Sequence, residues 1–446
     1  MHGPDETLPA NNPPVHPLGA ADFTPLDELR QLQTRRLTAT VHRAYENVAF
    51  YRRAMDNLRV APQDVGTLEH ITRLPLTVKN DLRDTYPAGL FASPMADVVR
   101  LHASSGTTGT PIVVAYTRQD LDVWAGVIAR ALICYGLHQG DVLQNAYGYG
   151  LFTGGLGLHY GAEMLGATVI PISGGNTRRQ IIMLRDFAVT AISCTPSYFV
   201  HIIESAGEAG IDLRGLPLKV GVFGAEPWTE GMRQWIERSS GIKAYDIYGL
   251  TEITGPGVAA ECRCQNGLHV FEDHFYPEII DPETCRPLPD GQEGELVLTT
   301  LSKQAMPLLR YRPRDITALS TDVCPCGRTL RRIRRISHRS DDMFIIRGVN
   351  VFPSQIETAI LAVEGSLPHY QIVLTRDKGL DEVDVKIEVT PGLFSDRISA
   401  LESLQKRLAA AIERTVGIRI KVSLVEPHAI ERSGGKAKRL VDLRQL

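Results

Sequence analysis

Residues 104–111 of this 446-residue chain read SSGTTGTP, directly before a short apolar run at residues 112–115. Closely spaced glycines let backbone N–H groups approach an anion, and the hydroxyls add donors and a candidate Mg²⁺ ligand. The segment therefore has the composition of a phosphate-binding loop. It lacks the spacing and the lysine of a Walker A loop, and by itself a Ser/Thr/Gly-rich surface turn is the commoner explanation.

Short apolar runs and longer amphipathic stretches alternate on both sides of this loop. We expect strands at residues 112–115, 167–172, 190–194 and 220–223, and helices at residues 26–44, 121–135 and 177–187. Such alternation predicts an α/β fold with a mostly parallel sheet covered by helices. After about residue 255 the pattern changes to short strands and turns, which predicts a small β-subdomain. A last α+β unit of about 105 residues is predicted from residue 340 to residue 446.

Composition limits the class of protein. The 48 Lys and Arg residues against 51 Asp and Glu residues give a net charge of −3, which excludes a nucleic-acid binder driven by bulk charge. No apolar run is long enough to span a membrane, and the N-terminus lacks the pattern of a secretory signal. Seven cysteines argue for a reducing compartment, so we expect a cytoplasmic protein. Six prolines within residues 1–25 predict a disordered lead-in at residues 1–22.

Four further motifs follow in a fixed order. Residues 245–252 read YDIYGLTE, with aromatic rings, carboxylates and a hydroxyl suited to a base and a divalent cation. Residues 311–315 read YRPRD, whose carboxylate suits a ribose diol. Residues 339–342 read RSDD at the expected domain boundary, and residues 432–438 read RSGGKAK, with a lysine on a glycine-rich loop. In this order the motifs resemble the adenylate-forming superfamily of acyl-CoA synthetases, adenylation domains and luciferases.

Longer stretches are similar to the phenylacetate–coenzyme A ligase branch of that superfamily, from about residue 23 to residue 446. They read HASSGTTGTP, NAYGYGLFTGGLGLHYGAE, GAEPWT, YDIYGLTEITGPGV, EDHFYPEIIDP, RYRPRDIT and RSDDMFIIRGVNVFPSQIE. The resemblance implies an adenylate-forming domain at residues 23–339 and a mobile C-terminal domain at residues 340–446. It also implies three small-molecule substrates, an aryl acid, ATP and coenzyme A, and no nucleic-acid or membrane partner; a homodimer is left open.

Residue roles follow from the same resemblance. The implied nucleotide-binding residues are Ser104, Ser105, Gly106, Thr107, Thr108, Gly109, Gly224, Ala225, Glu226, Asp246, Tyr248, Gly249, Thr251, Asp315 and Arg339. Thr107 would lie near Mg²⁺, Glu252 would bind it, and Lys436 would contact the acyl carboxylate and the α-phosphate. The implied hinge between the two domains is Asp341.

The implied reaction has two halves, formation of an acyl adenylate from the acid and ATP and transfer of the acyl group to coenzyme A. Phenylacetate is the favoured acid. One alternative is an adenylating enzyme for an anthranilate- or hydroxybenzoate-type acid that passes the acyl group to another acceptor. A remoter alternative is a non-catalytic nucleotide-binding regulator, which the presence of Lys436 and Glu252 disfavours.

Five residues are expected to form the acyl pocket: Tyr147, Tyr149, Phe152, Gly224 and Ala225. Aromatic walls with a floor of small residues suit a flat ring better than a long alkyl chain. Without the resemblance, ordinary core packing is the commoner explanation for such aromatics.

Cysteines are paired in the sequence at 262 and 264 and at 324 and 326, with a histidine at 269. A tetrahedral Zn²⁺ needs four of these five ligands. We expect a structural zinc on Cys262, His269, Cys324 and Cys326, with Cys264 as the replacement for His269; free cytosolic thiols are the alternative. Some members of the resembled family carry a structural zinc here.

Six arginines crowd residues 328–339: Arg328, Arg331, Arg332, Arg334, Arg335 and Arg339. Such a cluster fits either a solvated face or a cationic rim for the phosphates of coenzyme A. The near-neutral net charge argues against a nucleic-acid patch.

Overall fold

The computed structural model describes residues 16–104, 111–336, 338–340, 342–346, 349–377, 380–390 and 398–444. The α-helices are α1 Leu26–Asn47, α2 Ala49–Leu58, α3 Lys79–Asp84, α4 Arg118–Tyr135, α5 Gly154–Leu165, α6 Thr177–Asp186, α7 Pro196–Glu208, α8 Glu230–Ser240, α9 Pro353–Leu361 and α10 Ile398–Val416. Short 3₁₀ helices span Pro17–Phe23, Pro62–Asp64, Leu68–Arg73, Met95–Asp97 and Leu213–Gly215. Within these residues no helix is long and apolar enough to cross a membrane.

The strands fall into a large central sheet and several smaller sheets. In chain order they are β1 Arg100–Ala103, β2 Val113–Tyr116, β3 Val142–Asn145, β4 Thr168–Ile170, β5 Ala191–Cys194, β6 Val220–Gly224, β7 Lys243–Tyr248, β8 Ala259–Glu261, β9 Leu268–Val270, β10 Phe275–Ile280, β11 Gly294–Thr300, β12 Asp315–Thr317, β13 Leu319–Ser320, β14 Arg332–Ile333, β15 His338–Arg339, β16 Phe344–Ile346, β17 Val349–Val351, β18 Tyr370–Asp377, β19 Leu380–Glu388, β20 Lys421–Val425 and β21 Leu440–Asp442.

The central sheet has the order β13-β14-β9-β8-β7-β6-β5-β3-β4, and β4, β3, β5, β6 and β7 run parallel. Successive side chains of a strand point to opposite faces. Ala191 and Val222 accordingly pack in one hydrophobic core with α4 and α5. Ile192 and Phe223 pack in a second core with α6, α7 and α8. The predicted α/β fold, with helices on both faces of a mostly parallel sheet, is confirmed.

The predicted change to short strands after about residue 255 is confirmed as well. Strands β10, β11, β12 and β15 form an antiparallel sheet, and β8, β9, β13 and β14 extend the central sheet in antiparallel pairs. Asp315 and Arg339 are register partners at the edge of this region. These antiparallel strands therefore bring the YRPRD and RSDD motifs side by side.

The C-terminal domain has a hydrophobic core of its own. Its sheet has the order β20-β19-β18-β21, and the hairpin of β16 and β17 precedes it. Leu404, Leu408 and Ile412, at helical spacing on α10, pack into this core. The predicted division into a large and a small α+β domain is confirmed, and the boundary at residue 340 stays a prediction.

The expectation of a disordered lead-in at residues 1–22 is wrong for residues 17–22. Residues Pro17–Phe23 form a 3₁₀ helix that begins with proline, a favourable first position because proline has no N–H to pair. Asp22 is fully buried and accepts from Nε of Arg130 at 2.8 Å and from Nε of Arg328 at 3.0 Å. Residues 1–15 lie outside the described residues.

Candidate active site

A cavity of about 250 Å³ lies at the edge where the YDIYGLTE and YRPRD motifs meet. It is lined by Val78, Lys79, Asn80, Arg83, Leu250, Glu252, Tyr311, Arg312, Pro313, Arg314, Asp315 and Arg339. Three residues that the resemblance assigned to the nucleotide or Mg²⁺, namely Glu252, Asp315 and Arg339, therefore lie together. Lys79 and Arg83 add positive charge that the sequence motifs did not predict. The cavity combines carboxylates with cations, as a nucleotide and its phosphates require.

Tyr248 and Asp315 form a side-chain hydrogen bond beside this cavity. The Tyr248 hydroxyl donates to Oδ2 of Asp315 at 2.5 Å, and Nη1 of Arg339 lies 3.9 Å from Oδ1. Burial raises the pKa of Tyr248 well above its usual value, and the Asp315 carboxylate raises it further. Tyr248 therefore remains a hydrogen-bond donor that fixes the carboxylate.

Lys303 is a buried lysine that belongs to none of the motifs recognised in the sequence. Its Nζ donates to the carbonyl oxygens of Ile253 at 2.7 Å and of Glu252 at 3.2 Å, and lies 4.5 Å from the centre of the Tyr116 ring. Burial lowers the pKa of Lys303 to about 8. This side chain therefore fixes the backbone that carries Glu252. A single lysine after a strand has no spacing pattern that could have revealed the contact.

A second cavity, of about 430 Å³, lies between the two domains. It is lined by Ala146, Tyr147, Gly148, Phe152, Ser173, Gly174, Gly175, Thr195, Ala225, Gly434, Gly435 and Lys436. Three residues expected in the acyl pocket, Tyr147, Phe152 and Ala225, thus meet Lys436 at one cavity. The lining thus combines aromatic rings with several small residues.

Two expected pocket residues do not line this cavity. Tyr149 is turned into a polar cluster, where its hydroxyl accepts from Nδ2 of Asn145 at 2.8 Å and lies 3.2 Å from Nδ1 of His159. Gly224 is buried at the end of β6, and a side chain there would collide with the backbone of Ile247. The placement of Tyr149 and Gly224 in the acyl pocket stays a prediction.

The loop that carries Lys436 is held by the large domain through its backbone. The N–H of Ala437 donates to Oε2 of Glu226 at 2.9 Å, and Oγ1 of Thr195 donates to the carbonyl of Gly435 at 2.8 Å. The other oxygen of Glu226 accepts from the N–H of Ser197 at 2.8 Å. Glu226, expected only among the nucleotide-binding residues, is thus an anchor for the Lys436 loop.

Lys436 lies among charges from both cavities. Its enclosure by protein lowers its pKa; Glu226 and Glu252 oppose this, while Arg339 and Lys79 lower the pKa further. Lys436 lines the second cavity, and the charges of Glu252, Arg339 and Lys79, which line the first, act on its pKa. A cation that lies close to two bound substrates can stabilise negative charge that develops between them.

Three expected nucleotide contacts, Asp246, Gly249 and Thr251, line neither cavity. Asp246 is buried, and burial together with the charge of Glu261 raises its pKa. Its Oδ2 lies 3.7 Å from Nε of Arg335. Thr251 Oγ1 lies 3.4 Å from Oγ1 of Thr153. Their roles toward a nucleotide stay predictions.

Part of the predicted site lies outside the described residues: Ser105, Gly106, Thr107, Thr108, Gly109 and the hinge residue Asp341. Ser104, at the start of that loop, is described. Its N–H donates to the carbonyl of Ile112 at 2.9 Å, and its Oγ accepts from the N–H of Ile112 at 3.3 Å.

Cys262, His269, Cys324 and Cys326 come together although they span 65 positions of the sequence. Their ligand atoms all lie within 4.8 Å of one another. The two sulfurs of Cys262 and Cys324 are 3.7 Å apart, and Sγ of Cys326 lies 3.4 Å from Nε2 of His269. Zn–S bonds of about 2.3 Å at tetrahedral angles place two thiolates about 3.8 Å apart, so the residues fit a zinc ion.

The neighbours of this cluster support that geometry. Nδ1 of His269 lies 3.1 Å from the carbonyl oxygen of Leu330, which leaves Nε2 directed at the cysteines. Such a second hydrogen bond is typical of metal-binding histidines. Cys264 is not part of the cluster in the described residues.

The arginine cluster is mostly engaged in internal pairs, so a solvated face does not describe it. Arg328 pairs with Asp22 at 3.0 Å and Arg331 with Glu272 at 2.7 Å. Arg332, Arg335 and Arg339 are likewise paired or buried, and Arg334 is exposed. The role of this cluster as a rim for coenzyme A stays a prediction.

Comparison with known proteins matches both parts of the chain to one family. Residues 40–303 match the AMP-binding enzyme family, and residues 348–444 match the AMP-binding enzyme C-terminal domain. The chain is 50% identical over 435 residues to a phenylacetate-coenzyme A ligase of Thermus thermophilus, covering 94% of this chain and 98% of that protein. It is 51% identical over 423 residues to a phenylacetate-coenzyme A ligase of Escherichia coli, covering 94% and 96%.

Solved structures add information on the arrangement of the two domains. A 2-hydroxyisobutyryl-CoA ligase in the postadenylation state, in complex with 2-HIB-AMP, superposes with a TM-score of 0.91 at 30% identity, covering 97% of this chain and 94% of that chain. The same ligase with 2-HIB-AMP and CoA in the thioesterification state gives a TM-score of 0.71 at 31% identity, covering 95% and 92%. The domains of this chain are thus arranged as in the postadenylation structure.

Proposed function

The chain belongs to the AMP-binding enzyme family together with the phenylacetate–coenzyme A ligases, and we propose that it joins phenylacetate to coenzyme A. It is an AMP-forming acid–CoA ligase. In the first half-reaction the acid carboxylate attacks the α-phosphorus of ATP, pyrophosphate leaves, and an acyl adenylate forms. In the second half-reaction the thiol of coenzyme A attacks the acyl carbon and AMP leaves.

The observation that carries this proposal is a pair of cavities, one lined by residues of the YDIYGLTE and YRPRD motifs and the other by aromatic residues together with Lys436. The cavity with Asp315 and Arg339 has the carboxylate for a ribose diol and the cations for phosphates. The cavity with Tyr147 and Phe152 has the apolar walls for an aryl group. Lys436, in the lining of the second cavity, would neutralise charge on the attacking carboxylate and the α-phosphate as pyrophosphate leaves.

Glu252 would hold Mg²⁺ at the wall of the first cavity. When bound there, Mg²⁺ would supply positive charge that offsets the charge of the phosphates. The support for this role is a carboxylate with 7% exposure whose backbone is fixed by the buried Lys303. Oxygen ligands of this kind are those that Mg²⁺ prefers.

An aryl acid is supported over a long alkyl acid by the lining of the second cavity. Tyr147 and Phe152 bring aromatic rings to this lining, and Ala225 brings a small side chain. A larger side chain at residue 225 would reduce the space left for the acid.

Zn²⁺ is proposed for the cluster of Cys262, His269, Cys324 and Cys326. With four protein ligands the site leaves no position for water or substrate, so the ion would be structural. It would fix the loop at residues 324–326 to strand β9, which contains His269. Arg328, two positions after that loop, forms an ion pair with the buried Asp22.

The function is tested by incubating the purified protein with ATP, Mg²⁺ and single aryl acids, with and without coenzyme A. We expect pyrophosphate release with phenylacetate, and AMP and phenylacetyl-CoA in equal amounts only when coenzyme A is present. Octanoate, matched in carbon number, should give little release. Release with another aryl acid and no consumption of coenzyme A thiol would instead support an adenylating enzyme that serves a different acceptor.

A further inference from the structure

Helix α7 contacts the C-terminal domain through two carboxylates one turn apart. Oε1 of Glu204 lies 2.5 Å from Nε2 of His369, and Oε2 of Glu204 lies 3.5 Å from Nη2 of Arg432. Oε1 of Glu208 lies 3.2 Å from Nε2 of His428. All three partners belong to the C-terminal domain, so both contacts exist only while the two domains are docked as they are here.

These two contacts differ strongly in burial. The side chains of His369 and Glu204 are 7% and 19% exposed, whereas those of His428 and Glu208 are 57% and 61% exposed. Water screens an exposed pair, and such a pair contributes little to stability. A pair that is shielded from water interacts more strongly. Of these two contacts, the Glu204 contact is therefore the one that can contribute to holding the domains together.

Glu204 is also linked directly to the loop that carries Lys436. Arg432, four positions before Lys436, donates from Nη1 and Nη2 to the two carboxylate oxygens of Glu388 at 2.7 Å and 2.6 Å. Glu388 lies on β19 and also accepts from the N–H of Ile430 at 2.8 Å. The base of the loop is thus fixed to the C-terminal sheet, and Arg432 presents its remaining positive charge to Glu204.

We propose that Glu204 is a positioning residue for the adenylation half-reaction. Through His369 and Arg432 it holds the C-terminal domain in the arrangement that brings Lys436 to the cavities, and this contact is released before the acyl group is transferred. The inference rests on the proposed function. It is supported by the TM-score of 0.91 with a ligase in its postadenylation state against 0.71 with its thioesterification state.

Release of the contact leaves Arg432 with a partner. When the domains separate, Arg432 keeps its pair with Glu388 within the C-terminal domain, and Glu204, whose side chain is 19% exposed even in the docked arrangement, loses both of its partners. The contact therefore favours the docked arrangement without locking it, as alternation between two arrangements requires.

The test compares Glu204→Gln with the matched variant Glu208→Gln on the same helix, measuring each half-reaction separately. Acid-dependent exchange of pyrophosphate into ATP reports adenylation, and thioester formation from synthetic phenylacetyl adenylate and coenzyme A reports transfer. We expect Glu204→Gln to slow exchange about tenfold, the effect of losing one charge-assisted hydrogen bond, and to leave transfer unchanged or faster. Glu208→Gln should leave both rates within about twofold of the wild type, as for exposed pairs.

A second variant replaces the partner of Glu204 in the C-terminal domain. His369→Gln should produce the same division between the half-reactions, and the double variant with Glu204→Gln should lose no more than the stronger single variant. Equal slowing of exchange and transfer, or equal effects of the Glu204 and Glu208 variants, would overturn the proposal.

Hydrogen exchange gives a readout that needs no turnover. The amide of Ala437 donates to Glu226 only while the loop is docked. In Glu204→Gln we expect faster exchange in the peptide around residues 434–438, and no change in Glu208→Gln. Unchanged exchange in Glu204→Gln would overturn the proposal even if phenylacetate were the wrong acid. Absence of any acid-dependent activity in the wild type would count against the proposed function alone.

Discussion

The hydroxyl of Tyr248 donates a 2.5 Å hydrogen bond to the carboxylate of Asp315, 67 positions later in the chain. Tyr248 ends a strand of the parallel sheet, whereas Asp315 begins a strand of the antiparallel sheet. The bond therefore joins the two sheets at the first cavity. It directs a fixed negative charge to the place where a ribose diol would bind.

Replacement of Asp315 by Ala is expected to weaken ATP binding. Because the diol would lose a charged acceptor, the KM for ATP should rise roughly ten- to a hundredfold, with a smaller change in KM for the acid. Steady-state kinetics at saturating acid and coenzyme A measure this change. Asp290→Ala, at an exposed turn, is the matched control and should leave the KM for ATP unchanged. An unchanged KM for ATP in Asp315→Ala would remove the assigned role.

Gly174→Ala is expected to impair docking of the Lys436 loop. A Cβ at residue 174 would lie 2.7 Å from the carbonyl oxygen of Gly434, too close for the loop to keep its position. Overpacking of this size should reduce pyrophosphate exchange by about tenfold, while transfer from the synthetic adenylate is preserved. Gly126→Ala, where a Cβ meets nothing within 4 Å, should be silent in both assays. If Gly174→Ala exchanged pyrophosphate at the wild-type rate, the docked loop would not be the adenylating one.

Metal analysis tests the cysteine cluster. We expect about one zinc per chain after dialysis, and loss of that zinc in Cys324→Ser and Cys326→Ser. Because the ion ties the loop at residues 324–326 to β9, its loss should lower the free energy of unfolding by about 3 kcal/mol or more. Cys285→Ser, outside the cluster, should retain the metal. Retained zinc in Cys324→Ser, or lost zinc in Cys264→Ser, would show that the ligand set is different.

The pH dependence of adenylation should reflect Lys436. Enclosure in the site lowers its pKa, so the charged form is lost at a lower pH than for an ordinary lysine. Pyrophosphate exchange should therefore fall as the pH rises through that lowered pKa, while transfer from the synthetic adenylate does not follow it. The Lys436→Arg variant keeps its charge and should move this fall to higher pH. An identical alkaline limb in wild type and Lys436→Arg would assign the titration to another group.

Local sequence patterns predicted much of the fold because the strands and helices have clear periods. The strand predicted at residues 190–194 corresponds to β5, and the helix predicted from residue 121 covers most of α4. The ordered segment at residues 17–22 escaped prediction because the partners of Asp22 are 108 and 306 positions away. The stretch of sequence around Asp22 therefore does not reveal these contacts.

The candidate site shows the same division between local and long-range information. Residues such as Glu252 and Asp315 could be proposed from the sequence because the residues next to them form recognisable motifs. The cluster of Cys262, His269, Cys324 and Cys326 could be proposed because residues of these types are rare in the chain. The role of Glu226 as an anchor for the Lys436 loop could not be predicted, because its partner Ala437 is 211 positions away. The contacts of the Tyr149 hydroxyl with Asn145 and His159 could not be predicted either, because a run of aromatic residues does not reveal which polar groups each ring meets.

The central claim is that Lys436, brought in by the C-terminal domain, serves adenylation and not transfer. Lys436→Ala tests it most directly when pyrophosphate exchange and thioester formation from synthetic phenylacetyl adenylate are measured on the same preparation. We predict that exchange falls by about a hundredfold or more, as for loss of one preorganised charge, while thioester formation stays close to the wild-type rate. Equal loss in both half-reactions, or exchange that survives the substitution, would contradict the account.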